Sequence, residues 1–212
     1  MATFEKGFLG GFSGKVGTAV GSTWKSLNVL RSRPPRKRRG QPSEQQLEQQ
    51  ARFGIITGFL RPLTELLNQT YSKSANAEMS GFNKAFSENK KAITGVYPAF
   101  AVDFPKMQLS TGSLPNVVAT AVSTVAGKLT FNWADNSGIN SALISDLAFV
   151  AAFNEELGHW IYIQKAAARN ALTYILDVAP FSGKPVQTYL GFMSADRKKI
   201  SPSLYTGIVN IL

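Results

Sequence analysis

"DLAFVAAFNEELGHWIYIQ", residues 146–164, decides how the second half of this chain is read. Two runs rich in aliphatic and aromatic residues, 146–153 and 159–164, flank a polar segment that ends in Gly158. Strand, turn residues, strand is the signature of a β-hairpin. The same grammar extends outward in both directions. "VVATAVST" (117–124) and "KLTFNW" (128–133) are separated by Val125, Ala126 and Gly127, which predicts a second hairpin, and "DNSG" (135–138) reads as a turn. "ALTYILDV" (171–178), "VQTYLGFM" (186–193) and "LYTGIVNI" (204–211) follow. About seven short strands in roughly 100 residues predict a two-sheet sandwich of immunoglobulin or fibronectin-III type over 107–212. Its buried tryptophan is expected to be Trp133 or Trp160. With no cysteine in the chain, it lacks the inter-sheet disulfide of antibody domains, as fibronectin-type modules do.

Upstream of residue 107 the period changes from two to between three and four. In 41–73, Leu47, Ala51, Ile55, Phe59, Leu63, Leu66 and Leu67 form one apolar stripe, which predicts an amphipathic helix. Ser43 with Gln46 reads as a capping box, Glu44 suits the first turn, and Pro62 should kink or divide the helix. A second helix is expected around 76–91, with Phe82 and Phe86 four residues apart. Gly95, Pro98 and Pro105 are expected to break the following chain into a loop. The fold class is therefore α+β: an N-terminal basic, Gly-rich arm (1–40), a helical region of two to three helices (41–106), then an all-β sandwich (107–212).

The arm carries the charge. Net charge is +10, and residues 1–73 alone hold 12 Lys/Arg against 4 Asp/Glu. Arg31, Arg33, Arg36, Lys37, Arg38 and Arg39 crowd into nine residues around Pro34 and Pro35. The prolines favour an extended, polyproline-like path, along which cations can track a phosphate backbone. These six residues are the candidate nucleic-acid-binding set. Before them, Gly7, Gly10, Gly11, Gly14, Gly17 and Gly21 alternate with Phe4, Phe8, Leu9 and Phe12, a composition suited to docking onto a surface. Residues 15–20 and 26–31 can pair as a short hairpin.

No reaction chemistry is expected. "GGFSGKV" (10–16) departs from a phosphate loop: Leu9 stands where the first glycine belongs and Val16 where Ser or Thr should follow the lysine. His159 has no nucleophile elbow to serve. Glu155 and Glu156 read as solvated loop carboxylates, and Asp135, Asn136 and Asp146 as turn residues before metal ligands. No enzyme activity, cofactor or metal site is expected. No run of about 20 apolar residues is present, and the N-terminus does not read as a signal peptide, so synthesis in the cytoplasm is expected.

Several elements together resemble a family of uncharacterised bacterial and phage-encoded proteins. They are Ser13-Gly14-Lys15-Val16-Gly17, Trp24-Lys25, Arg31 with Pro34, the Gln-rich helix Gln45 to Gln50 with Arg52 and Phe53, and Gly81-Phe82-Asn83. The resemblance spans nearly the whole chain. It implies a C-terminal immunoglobulin-like region and a virion or particle component, with no defined activity.

The expected function is a non-catalytic structural protein that self-associates into a particle, contacts other particle proteins, and binds nucleic acid without reading its sequence. The alternative is an immunoglobulin-like recognition module for a protein or glycan at a cell surface. A soluble nucleic-acid binder without assembly is a third reading.

Overall fold

The computed structural model of the chain describes residues 2–4, 13–24, 27–33, 40–72 and 79–212. Two compact units result, Met1–Ser43 and Glu44–Leu212.

The first unit is an antiparallel sheet of β1 (Ala2–Phe4), β2 (Gly14–Val16), β3 (Ala19–Trp24) and β4 (Leu27–Ser32), in the order β1-β4-β3-β2. The Gly-rich arm expected over 1–40 thus contains a sheet. Val16 pairs with Ala19 across a two-residue turn, and Gly17 there takes φ +58°. A primed hairpin turn needs a positive φ at that position, which glycine adopts without a Cβ clash. The hairpin expected between 15–20 and 26–31 is there in part: Ala19 pairs with Ser32 and Val20 with Arg31. Residues 15 and 16 instead pair with β3 itself, as Lys15 with Val20 and Val16 with Ala19.

The second unit opens with α1 (Glu44–Leu60), a 3₁₀ turn (Arg61–Leu63) and α2 (Thr64–Thr70). The break falls at Pro62, which has no N–H for the helix ladder. The expected stripe is buried only in its second half: Phe59, Leu63, Leu66 and Leu67 are sealed, Ile55 is half-buried and Leu47 is exposed. α3 (Gly81–Asn89) starts where the Ser80 side chain accepts the Asn83 N–H at 3.2 Å. Where a loop was expected, β5 (Ile93–Val96) and β6 (Ala99–Val102) pair as a hairpin, because Gly95 and Pro98 shape the strand and its turn and do not interrupt pairing.

Seven strands follow: β7 (Ala119–Val125), β8 (Lys128–Trp133), β9 (Leu147–Asn154), β10 (His159–Ile163), β11 (Thr173–Asp177), β12 (Pro185–Met193) and β13 (Leu204–Asn210). They form two antiparallel sheets, β11-β8-β7 and β10-β9-β12-β13. One core lies between them. Leu129, Phe131, Trp133 and Leu176 of the first sheet meet Ala148, Val150, Ala152, Val186, Leu190 and Phe192 of the second. A second core lies on the other side of the four-stranded sheet, where Phe149, Ala151, Phe153 and Tyr189 pack on Phe59, Leu60, Leu63, Leu66 and Leu67.

The unit is thus three-layered: a three-stranded sheet, a four-stranded sheet and a helical layer. Strand β9 is buried on both faces, which explains its unbroken apolar run; a strand with one wet face would alternate. Even-numbered residues from 148 to 152 enter one core and odd-numbered residues from 149 to 153 the other. Gly191 lies opposite Phe149 on β12, and an added Cβ would stand 2.3 Å from the ring, so only glycine lets the ring lie flat over that strand. The boundary expected between a helical region ending at 106 and a sandwich starting at 107 therefore does not separate two units; the cores share β9.

Two buried tyrosines seal the helical side. Tyr71 Oη donates to the Gln108 carbonyl at 3.0 Å and Tyr189 Oη to the Phe104 carbonyl at 2.9 Å. Burial first, then nearby Glu88 for Tyr71 and Tyr205 for Tyr189, pushes both phenols well above the ordinary tyrosine range. The folded protein therefore holds protons that the unfolded chain releases near pH 10, so the contribution of these two groups to stability is constant below about pH 10 and is lost above it. In an alkaline titration followed by phenolate absorbance, Tyr71 and Tyr189 should ionise only as the fold is lost. Ionisation of all six tyrosines near pH 10 with circular dichroism unchanged would show that these two are not sealed.

Candidate nucleic-acid interface

The sheet of the first unit positions the described part of the basic strap. Val20 on β3 pairs with Lys15 on one side and Arg31 on the other. Residues directly opposite in an antiparallel ladder share a face, so Lys15, Val20 and Arg31 form one row across three strands, with the cations about 10 Å apart at Cα. The Arg33 N–H donates to the Thr18 carbonyl at 2.7 Å, which extends the ladder one step past β4. Alternation then brings Arg33 to the face of Arg31, about 7 Å further along. Lys15, Arg31 and Arg33 are all exposed. Arg36, Lys37, Arg38 and Arg39, with Pro34 and Pro35, lie outside the described residues. Of the six expected site residues, then, two stand on one face of a sheet, joined there by Lys15.

Sequence reasoning missed two members of this face. In the sequence Lys15 reads as part of a failed phosphate loop, of the Ser13–Gly17 motif and of a hairpin strand, and not as a member of the cationic set. Trp24, four residues along β3 from Val20, was noted only as half of a Trp-Lys pair. It pairs with Leu27 and is 52% exposed. The missed signal is alternation: 20, 22 and 24 share one face of β3, and 27, 29 and 31 the same face of β4.

In the second unit the loop between β8 and β9 is built around a buried ion pair. Arg169 and Asp146 side chains are both fully buried, with Nε 3.2 Å from Oδ2. Arg169 also donates to Asn136 Oδ1 at 2.5 Å, and its guanidinium stacks 4.1 Å from the Phe192 ring centroid. Its backbone carbonyl accepts Trp133 Nε1–H at 2.6 Å, and its N–H donates to the Asp146 carbonyl at 2.7 Å. Asp146 Oδ2 further accepts the Leu143 N–H at 2.9 Å. Desolvation, opposed by Asp146, holds the Arg169 pKa below its usual value. The loop so pinned exposes Ile139 (58%), Leu143 (58%) and Ile144 (60%). A separate groove of about 580 Å³ runs between α1 and α3, lined by Arg52, Phe53, Ile56, Phe86 and Lys90.

The remaining candidates are dispersed. His159 is exposed at the start of β10, paired with Asn154. Glu156 forms an ion pair with Lys184. Asp135 accepts the Ser137 N–H at 2.9 Å, and its hydrogen bonds with Ser137 lower its pKa. Trp133 is the tryptophan between the two sheets, whereas Trp160 faces the helices. Among the described residues, no three His, Cys, Asp or Glu side chains gather as a metal-holding group. Nor is any described helix long and apolar enough to cross a membrane.

Among solved structures, the chain is similar to the FN1–FN3 domains of chicken CNTN1, at 16% identity with a TM-score of 0.34. That alignment covers 47% of this chain and 33% of the other, so the chain spans about a third of that structure's length. No curated protein matches it. The profile of a family of unknown function, DUF6266, matches residues 11–207, and the chain belongs to that family.

Proposed function

We propose that this protein is a non-catalytic assembly component whose first unit contacts nucleic acid without reading its sequence. The observation that carries the proposal is the row Lys15–Val20–Arg31, extended by Arg33, on one exposed sheet face that runs directly into the cationic stretch ending at Arg39. Cations spaced along an extended chain neutralise phosphates and release counterions, which gives tight, salt-sensitive binding with no base readout. The second unit is proposed to be a fibronectin-III-type sandwich with a helical layer added. Supporting this, the fourth of the seven strands, β10, is an edge of the sheet of β9, β12 and β13, whereas the constant immunoglobulin pattern would pair that strand with β11. In this reading the second unit carries the contacts between copies in a virion-like particle assembled after synthesis in the cytoplasm.

The test is the salt dependence of binding by the full chain. Replacing Arg36, Lys37, Arg38 and Arg39 with Gln should reduce the slope of log affinity against log salt by about 3. An unchanged slope would remove the strap from the interface. A second reading, a recognition module for a protein or glycan, is favoured by the β8–β9 loop: three exposed aliphatic side chains on a rigidly pinned support suit a preformed binding edge. Light scattering with absorbance at two wavelengths separates the two. A large, nucleic-acid-rich species supports assembly; a clean monomer supports recognition.

A further inference from the structure

Trp24 is the exposed tryptophan of this chain. Trp133 is 5% exposed, with its indole N–H held by the Arg169 carbonyl. The Trp160 N–H is held by the Phe59 carbonyl at 2.9 Å, within a cluster of aromatic rings. Trp24 is 52% exposed, on a strand. Alternation puts it on the same face as Lys15 and Arg31, at a Cα distance along β3 of about 13 Å from their row. Among the described residues of β3 and β4, the pair between the two ends of the face is Ser22 with Val29, both short side chains, and Val20 stands between the cations in their row. The face therefore has an aromatic plate at one end, cations at the other, and a low, smooth floor between.

We infer that this face binds single-stranded polynucleotide, with a base stacked on Trp24 and phosphates on Lys15, Arg31 and Arg33. The inference rests on the nucleic-acid reading above and narrows it. In a duplex each base is covered above and below by its neighbours, and a flat sheet reaches only the backbone. An unpaired strand lets a base rotate its face onto an indole, while its phosphates follow the cations along the sheet. Stacking is indifferent to base identity, which agrees with binding that reads no sequence. The floor of small residues leaves room for the few nucleotides that span the two ends.

The experiment uses the full chain with labelled oligo(dT), oligo(U) and a duplex of equal length at one salt concentration. Single strands should bind more tightly than duplex. Trp24→Leu should weaken single-strand binding roughly 5- to 150-fold and bring the ratio of single-strand to duplex affinity toward one. Trp24→Phe, which keeps an aromatic plate, should recover most of that loss. In the wild type, oligo(dT) or oligo(U) should quench tryptophan emission, and Trp24→Phe should abolish the quench while still binding; this readout stands even if Trp24→Leu folds poorly. Binding of either oligonucleotide through Trp24 supports the inference and identifies the sugar it takes. If the quench persists in Trp24→Phe, or Trp24→Leu binds single strands as the wild type does, the inference falls and backbone binding stands. If neither single strand nor duplex binds, both fall together.

Discussion

An Arg169→Met protein should unfold with about 3–5 kcal/mol less free energy than the parent. The size of the loss follows from what is left behind. The Asp146 side chain is fully buried, and in the variant its carboxylate has no cation within the core. It keeps the Leu143 N–H on Oδ2, while Oδ1 has no hydrogen-bond partner even in the parent. An uncompensated buried charge costs more than a broken surface pair, which is worth at most about 1 kcal/mol. Arg169 also links distant parts of the chain. Its guanidinium holds Asn136, whose amide donates to the Asn116 carbonyl at 2.8 Å, and Asn116 in turn donates to Pro202 at 3.0 Å. Urea unfolding measures the effect. A companion Asp146→Asn change should recover part of the loss, because Asn retains an acceptor for Leu143 without the charge. A single variant within about 1 kcal/mol of the parent would mean that water reaches the pair and the network is not sealed.

The second large effect is expected at Phe59. Its ring is 5% exposed and meets Phe153 and Trp160 edge-on at 4.9 Å each, with Phe104 at 6.0 Å. Phe59→Ala removes the aromatic ring that α1 packs on the four-stranded sheet beside Ile56 and Leu60, and should cost about 3–5 kcal/mol. The aromatic pairs add to the lost burial, at about 0.5–1.5 kcal/mol each. The shape of the transition matters as much as its midpoint. If the helical layer belongs to the core, the variant should still unfold in one step at lower denaturant. If the helical signal in circular dichroism disappears well before the sheet signal, the helices are a satellite and the three-layer description fails.

The strands were legible because their chemistry is local. The seven strands of the sandwich appear as short β-branched and aromatic runs between turn residues, and the structure moves their ends by only a few residues. Pro62 located the helix break for an equally local reason. What the sequence hid was pairing at a distance. Arg169 and Asp146 are 23 residues apart and carry no motif, so nothing marks them as a buried pair before the chain folds. The Lys15, Val20, Arg31 row needs three strands in register, and the glycines around Lys15 made that stretch read as an arm. The run from Leu147 to Phe153 did carry a usable signal. Its lack of alternation marks a strand with no wet face, and hence a third layer, which the hairpin signal alone does not convey.

Strand β9 has a consequence for modularity. A seven-stranded sandwich is commonly a portable unit, able to be cut from one chain and joined to another. Here the cut that would free it, anywhere between Thr70 and Ala119, would lay Phe149, Ala151 and Phe153 open to water as one apolar sheet face. Such a fragment would hide that face by clustering with its own copies. The transplantable piece of this protein is therefore 44–212 entire, and the helices travel with the sandwich as its lid.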